Sequence, residues 1–218
     1  MCGRFSDVLS WQQLHDLYEI VGDAQTGHNL LGRQNIAPTQ DVLFCVQSED
    51  GREFAIGRWW LVPSWAKEVG KYPTFNARGE TAASKASFRS AFKSRRCLIP
   101  AEGYYEWTKA EDGGRDPHFI HLEGEPLSFA GLWESHPEFG LSCTIVTLPA
   151  APGIAHLHNR MPVVLSPDAW SGWLDPANDA KAASALLENN RGSDLVSYRV
   201  SRKVNKSSYH GDDCREPI

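Results

Sequence analysis

The 218-residue sequence has no Cys-x-x-Cys pair, no apolar run approaching the ~18 residues of a membrane span, no basic-then-apolar leader and no excess of positive charge. Each absence removes a class of protein. The five cysteines, Cys2, Cys45, Cys97, Cys143 and Cys214, are odd in number and widely spread, which argues against a disulfide framework or a zinc site and fits a reducing compartment. With neither leader nor span, the expectation is a soluble, unexported, cytoplasmic protein with no membrane partner. A net charge of −5 excludes bulk coating of nucleic acid, which takes a strongly basic domain. No repeat, low-complexity tract or linker divides the chain, so one domain over residues 1–218 is expected. Its 41% hydrophobic content, with eight Trp and nine Phe, suffices for a core.

What is present reads as short strands strung closely together. "DVLFCVQ" and "EFAIGRWWLV" flank "SEDGR", where Asp-Gly favours a hairpin turn. "RCLIPAEGYYEWTK", "HFIHLE", "LSFAGLWE", "LSCTIVTL", "MPVVLS" and "DLVSYRVS" follow with too little sequence between them for crossovers, which predicts mainly antiparallel pairing. Ser6 can cap an early helix carrying Leu14, Leu17, Tyr18 and Val21 on one face, and further helices are predicted in "GETAASKASFRSAFKSRR", "SPDAWSGWLD" and "DAKAASALLENN". The class is α+β, a mainly antiparallel sheet forming an open barrel-like core with peripheral helices.

Polar residues inside these segments each admit two readings. Asn76 and Arg78 of "NARGETA" share a face if extended, just before a predicted helix, suiting either phosphate contact or a turn with a surface ion pair. Glu106 of "GYYEW" is a general acid or base if it faces inward, and a surface carboxylate if its aromatic neighbours do. His156 and His158 lack a Cys or His cluster to complete a metal site, so no metal is expected, and His158 beside Arg160 is otherwise a loop histidine. Trp59, Trp60 and Trp65 either stack on bases or fill the core. Two basic stretches, Lys85 to Arg96 and Arg199 to Lys206, leave a localised nucleic-acid groove open.

Cys2 poses a sharper question. Met1 is ordinarily excised before so small a residue, leaving an α-amine and a thiol on one residue, a pair no internal cysteine offers.

Seven stretches occur in order: "MCGRF", "RQNIAPTQ", "RWWLVPSWAK", "NARGETA", "LIPAEGYYEW", "LHNRMPVVL" and "VSRKVN". On these the chain resembles the SRAP family, the SOS response-associated peptidases or abasic-site processing proteins, from Cys2 to about Asn205. The resemblance implies a monomeric protein without cofactor that binds single-stranded DNA containing abasic sites and links covalently to the lesion through its N-terminal cysteine. It would act at damaged DNA on the nucleoid, with lyase and self-processing peptidase activity in view. In that chemistry the Cys2 amine condenses with the ring-opened sugar aldehyde and the thiol closes a thiazolidine.

The same resemblance assigns Glu106 and His158 to proton transfer and Asn76 to orienting the N-terminal residue. Arg4 and Arg78 would grip phosphates. Asn35, Thr147 and Arg160 would structure the pocket or touch the strand, and Trp59 or Trp65 would wedge against a base. Trp60 departs from the family's small residue after the first tryptophan, which bears on the shape of the groove. Two rival classes stand beside this one: a class II glutamine amidotransferase, which also opens on Cys-Gly, and a non-covalent reader of modified bases.

Overall fold

The computed structural model describes residues 2–21, 30, 32–70 and 72–218. Its strands are β1 (Phe5–Asp7), β2 (Arg33–Ile36), β3 (Asp41–Gln47), β4 (Arg52–Trp59), β5 (Asn76–Arg78), β6 (Arg96–Ala101), β7 (Gly103–Lys109), β8 (Arg115–His121), β9 (Leu127–His136), β10 (Gly140–Pro149), β11 (Arg160–Pro162) and β12 (Val196–Arg199). The helices are α1 (Trp11–Tyr18), α2 (Gly79–Ala82), α3 (Arg89–Ser94), α4 (Pro167–Leu174) and α5 (Ala180–Leu186). Among the described residues no helix is long and apolar enough to cross a membrane.

The hairpin expected at Asp50-Gly51 joins β3 to β4, with Gln47 opposite Arg52. β9 and β10 form a second hairpin, and β10 also runs parallel to β4 at Ser142↔Arg58 and Cys143↔Trp59. That parallel contact closes β4, β3, β6, β9 and β10 into a five-stranded barrel. The α+β class therefore holds, and the barrel is closed rather than open. Gly57 permits the closure, because a Cβ there would lie 2.7 Å from the Leu141 carbonyl oxygen. A second sheet, ordered β12-β8-β7-β1-β2, packs against the barrel. "RCLIPAEGYYEWTK", read as one strand, is two: β6 belongs to the barrel and β7 to the second sheet, and the chain switches at Glu102, whose N–H donates to the Ser6 carbonyl at 2.7 Å.

Helix α1 starts four residues later than expected. Ser6 is buried in β1, paired with Gly103, and Ser10 caps instead through a reciprocal capping box with Gln13. Glu19 ends the helix in the left-handed region at φ 53°, so Val21 falls outside it and stays exposed. "GETAASKASFRSAFKSRR" breaks into α2 and α3 joined by turns.

Alternate residues of the barrel strands divide between two cores. One is shared with the helices and holds Leu14, Tyr18, Phe92 and Trp173; the other is shared with β1 and β7 and holds Cys2, Phe5, Trp59, Tyr104 and Phe129. A third cluster, of Tyr105, Phe119, Val200, Val204 and Cys214, joins β7 and β8 to the C-terminal segment. Arg96, counted with the basic stretch, is buried at 2% exposure. Its guanidinium donates to the carbonyls of Phe92, Lys93, Trp173 and Asp175, the unpaired ends of α3 and α4.

Candidate functional site

Strand β7 decides how Glu106 faces. Tyr105 and Trp107 turn to the C-terminal segment, so Tyr104 and Glu106 turn the other way, toward the core that contains Cys2. Glu106 is only 5% exposed and Cys2 is fully buried. β5, laid parallel on β10 with Asn76 opposite Ile145, carries Asn76 to the same place, where its Nδ2 donates to the Cys2 carbonyl oxygen at 2.7 Å. Strand registry thus brings Asn76 to Cys2 across a sequence separation of 74.

Electrostatics join the remaining members. Burial raises the Glu106 carboxyl above its ordinary value, while the nearby His158 ring opposes the rise. Burial raises the Cys2 thiol, the Glu106 carboxylate pushes it further up, and the Arg4 backbone N–H opposes both. The thiol is therefore neutral here, and Glu106 is poised to hold a proton at higher pH than a surface carboxylate. His158 Nδ1 lies 3.0 Å from the Arg160 backbone N and 3.2 Å from the Arg160 carbonyl oxygen, so the backbone of Arg160 holds the ring in place. The arrangement gathers a thiol, a buried carboxyl with an imidazole near it, and an amide in one place, groups that nucleophilic addition with proton transfer can use.

At the rim, Arg160 is tied down: its guanidinium pairs with Glu80 and donates to the Thr147 carbonyl at 2.6 Å. Thr147 is buried, its hydroxyl donating to Ala77 O at 3.3 Å, and stands opposite the exposed Arg78 in the β5–β10 register. Arg4 and Asn35 lie on the other face of the second sheet from Glu106. Arg4 Nη1 donates to Asn35 Oδ1 at 2.7 Å and to Val204 O at 3.0 Å, and Asn35 Nδ2 lies within reach of the Val204, Lys206 and Tyr209 carbonyls. Both residues therefore anchor the C-terminal segment. Beside them Arg4, Trp107, Arg115 and Asn205 line a surface cleft of about 390 Å³.

The tryptophans separate. Trp59 is fully buried, its indole N–H donating to Phe75 O at 2.8 Å and its ring edge-on to Phe5, so it fills the core and offers no face to a base. Trp65 is 62% exposed beside a cavity of about 320 Å³ that Tyr72 also lines. Trp60, the departure from the family pattern, packs its ring on Phe75 at 5.3 Å, next to Asn76. The C-terminal basic stretch is largely neutralised: Arg199 and Arg202 pair with Asp116, Arg202 also with Asp112, and Lys203 with Asp213. Among the described residues no group of three or more His, Cys, Asp or Glu is placed to hold a metal ion. Tyr104, buried with Cys2, is absent from the residues singled out in the sequence; its spacing of two from Glu106 was the available signal.

The family model described as SOS response associated peptidase (SRAP) matches residues 1–207. Abasic site processing protein YoaM of Bacillus subtilis is 34% identical over 94% of this chain and 93% of its own length, and Abasic site processing protein YedK of Escherichia coli is 29% identical over all of both chains. A crystal structure of a Bacteroides thetaiotaomicron protein superposes with a TM-score of 0.85 over 100% of each chain at 20% identity, which speaks for the fold. One from Bordetella bronchiseptica superposes at 0.77 over 92% of this chain and 100% of that one, at 26% identity. The chain belongs to the SOS response associated peptidase (SRAP) family.

Proposed function

We propose that this protein processes abasic sites in single-stranded DNA by covalent capture on Cys2. The observation that carries the reading is the convergence of Asn76 and Glu106 on the second residue of the chain, with His158 beside Glu106, and the abasic-site processing for which its relatives YoaM and YedK are named supports it. Once Met1 is gone, the Cys2 α-amine, whose reference pKa is about 7.7–8.0, is substantially neutral near pH 7 and adds to the ring-opened aldehyde. Glu106 supplies and recovers protons as water leaves and the imine forms. The thiol then adds to the imine carbon, the C=N π pair moves to nitrogen and the thiol proton ends on that nitrogen, closing a five-membered thiazolidine. Asn76 holds the Cys2 carbonyl and so fixes the direction of attack. His158 assists sugar-ring opening and any β-elimination.

Exposed Arg78 is the rim cation best placed for a phosphate, and exposed Trp65 the aromatic best placed to stack on a base. Glu106 and His158 beside Cys2 also suit removal of Met1 by the protein itself, the form in which peptidase chemistry fits this site.

Denaturing electrophoresis of the mature protein with a single-stranded oligonucleotide bearing one abasic site tests the reading. A denaturation-resistant band is expected for the wild type and is expected to be missing for Cys2→Ala and for a form that retains Met1. Reversible binding without such a band would refute covalent capture and leave a non-covalent reader.

A further inference from the structure

Tyr104 shares the site without a role in the chemistry above. It stands two residues before Glu106 on β7, so strand alternation turns both side chains to one face. The register Phe5↔Tyr104 sets it against β1, three residues from Cys2. Its side chain is fully buried in the cluster that holds Cys2, with its ring edge-on to Phe129 at 6.1 Å. Its hydroxyl has no hydrogen-bond partner among the described residues.

A buried O–H left unpaired costs free energy that phenylalanine, filling the same space, would not. Burial holds the phenol well above its ordinary value, and Cys2 and Glu106 push it further up, so the hydroxyl keeps its proton and serves as a donor. Asn76 Oδ1 is likewise buried without a partner while its Nδ2 holds the Cys2 carbonyl. Around Cys2 the site therefore presents the Asn76 carbonyl oxygen as an acceptor and the Tyr104 hydroxyl as a donor.

We propose that Tyr104 is a further catalytic residue, its hydroxyl donating a hydrogen bond to the aldehyde oxygen of the substrate as the Cys2 amine adds to it. This rests on the capture reading above. In the addition the N–C bond forms, the carbonyl π pair moves to oxygen, and that oxygen takes a proton from Glu106. The nitrogen returns a proton to the Glu106 carboxylate, and nothing is oxidised or reduced. Tyr104 stabilises the developing charge on oxygen and keeps its own proton, and the same hydrogen bond persists until Glu106 protonates that oxygen a second time and it departs as water.

Tyr104→Phe removes the hydroxyl and keeps the ring. Single-turnover capture of the abasic oligonucleotide is expected to slow on the order of 10- to 100-fold. Affinity for an undamaged oligonucleotide should be unchanged and the melting temperature equal or higher, because an unpaired buried hydroxyl has gone. Capture at the wild-type rate would overturn the assignment, as would a fall in melting temperature, which would mark the hydroxyl as structural. A wild type that captures nothing would overturn the parent reading and this one with it, whereas a capturing wild type with an equally fast Tyr104→Phe overturns this one alone.

Discussion

Asp7, on the strand that delivers Cys2, should make the protein lose stability as the pH rises through neutrality. Its side chain is 3% exposed and Oδ1 has no partner among the described residues. Burial lifts its carboxyl from 3.8 to about 7, against the pull of the Leu9 backbone N–H and Arg33, with Glu102 adding to the rise. A folded-state value above the unfolded one means that the native state binds this proton more tightly. The resulting stability is fully present below about pH 4 and is lost as pH climbs through about 7. The shift of roughly three units, at about 1.4 kcal/mol each, corresponds to about 4 kcal/mol at most. Asp7→Asn is isosteric and never ionises, so it should match the wild type near pH 4 and exceed it at pH 8.5. At about 2–4 °C per kcal/mol for a chain of this size, the gain in melting temperature at pH 8.5 is about 8–16 °C. Comparing the two proteins at each pH by calorimetry cancels every other titrating group. An equal difference at both pH values, or a less stable Asp7→Asn at pH 8.5, would refute the reasoning.

Asn76→Ala frees the Cys2 carbonyl and leaves it buried without its donor. Single-turnover capture should slow at least about tenfold, and the melting temperature should fall by about 2–12 °C for a loss of roughly 1–3 kcal/mol. Arg96→Ala strips the donors from carbonyls at the ends of α3 and α4, and a loss of about 3 kcal/mol or more is expected. A urea titration should show this as a lower midpoint at unchanged slope.

What the sequence made legible was local. The Asp50-Gly51 hairpin follows from two residues and the alternation beside them, and the individual strands follow from apolar runs punctuated by glycine and proline. Barrel closure was not legible, because the parallel contact of β10 with β4 joins strands about 85 residues apart and its enabling feature, Gly57 under Leu141, looks in sequence like any other glycine. Alternation set Glu106 on the face opposite Tyr105 and Trp107 but could not say which face is the site, since Tyr105 and Trp107 are covered as well, by the C-terminal segment. The same limit misled the reading of charge. Arg199, Arg202 and Lys203 form a basic run on paper, yet their countercharges on Asp112, Asp116 and Asp213 turn them into clamps on the second sheet and the C-terminal segment. Arg4 is drawn into holding the same segment. Arg78, by contrast, is exposed with no ion pair among the described residues, and it lies one strand position beyond Ala77 from Asn76. Strand β5 therefore carries the residue that holds Cys2 and the cation that the proposed function assigns to a phosphate on a single three-residue segment, so any shift of β5 along β10 would move both together.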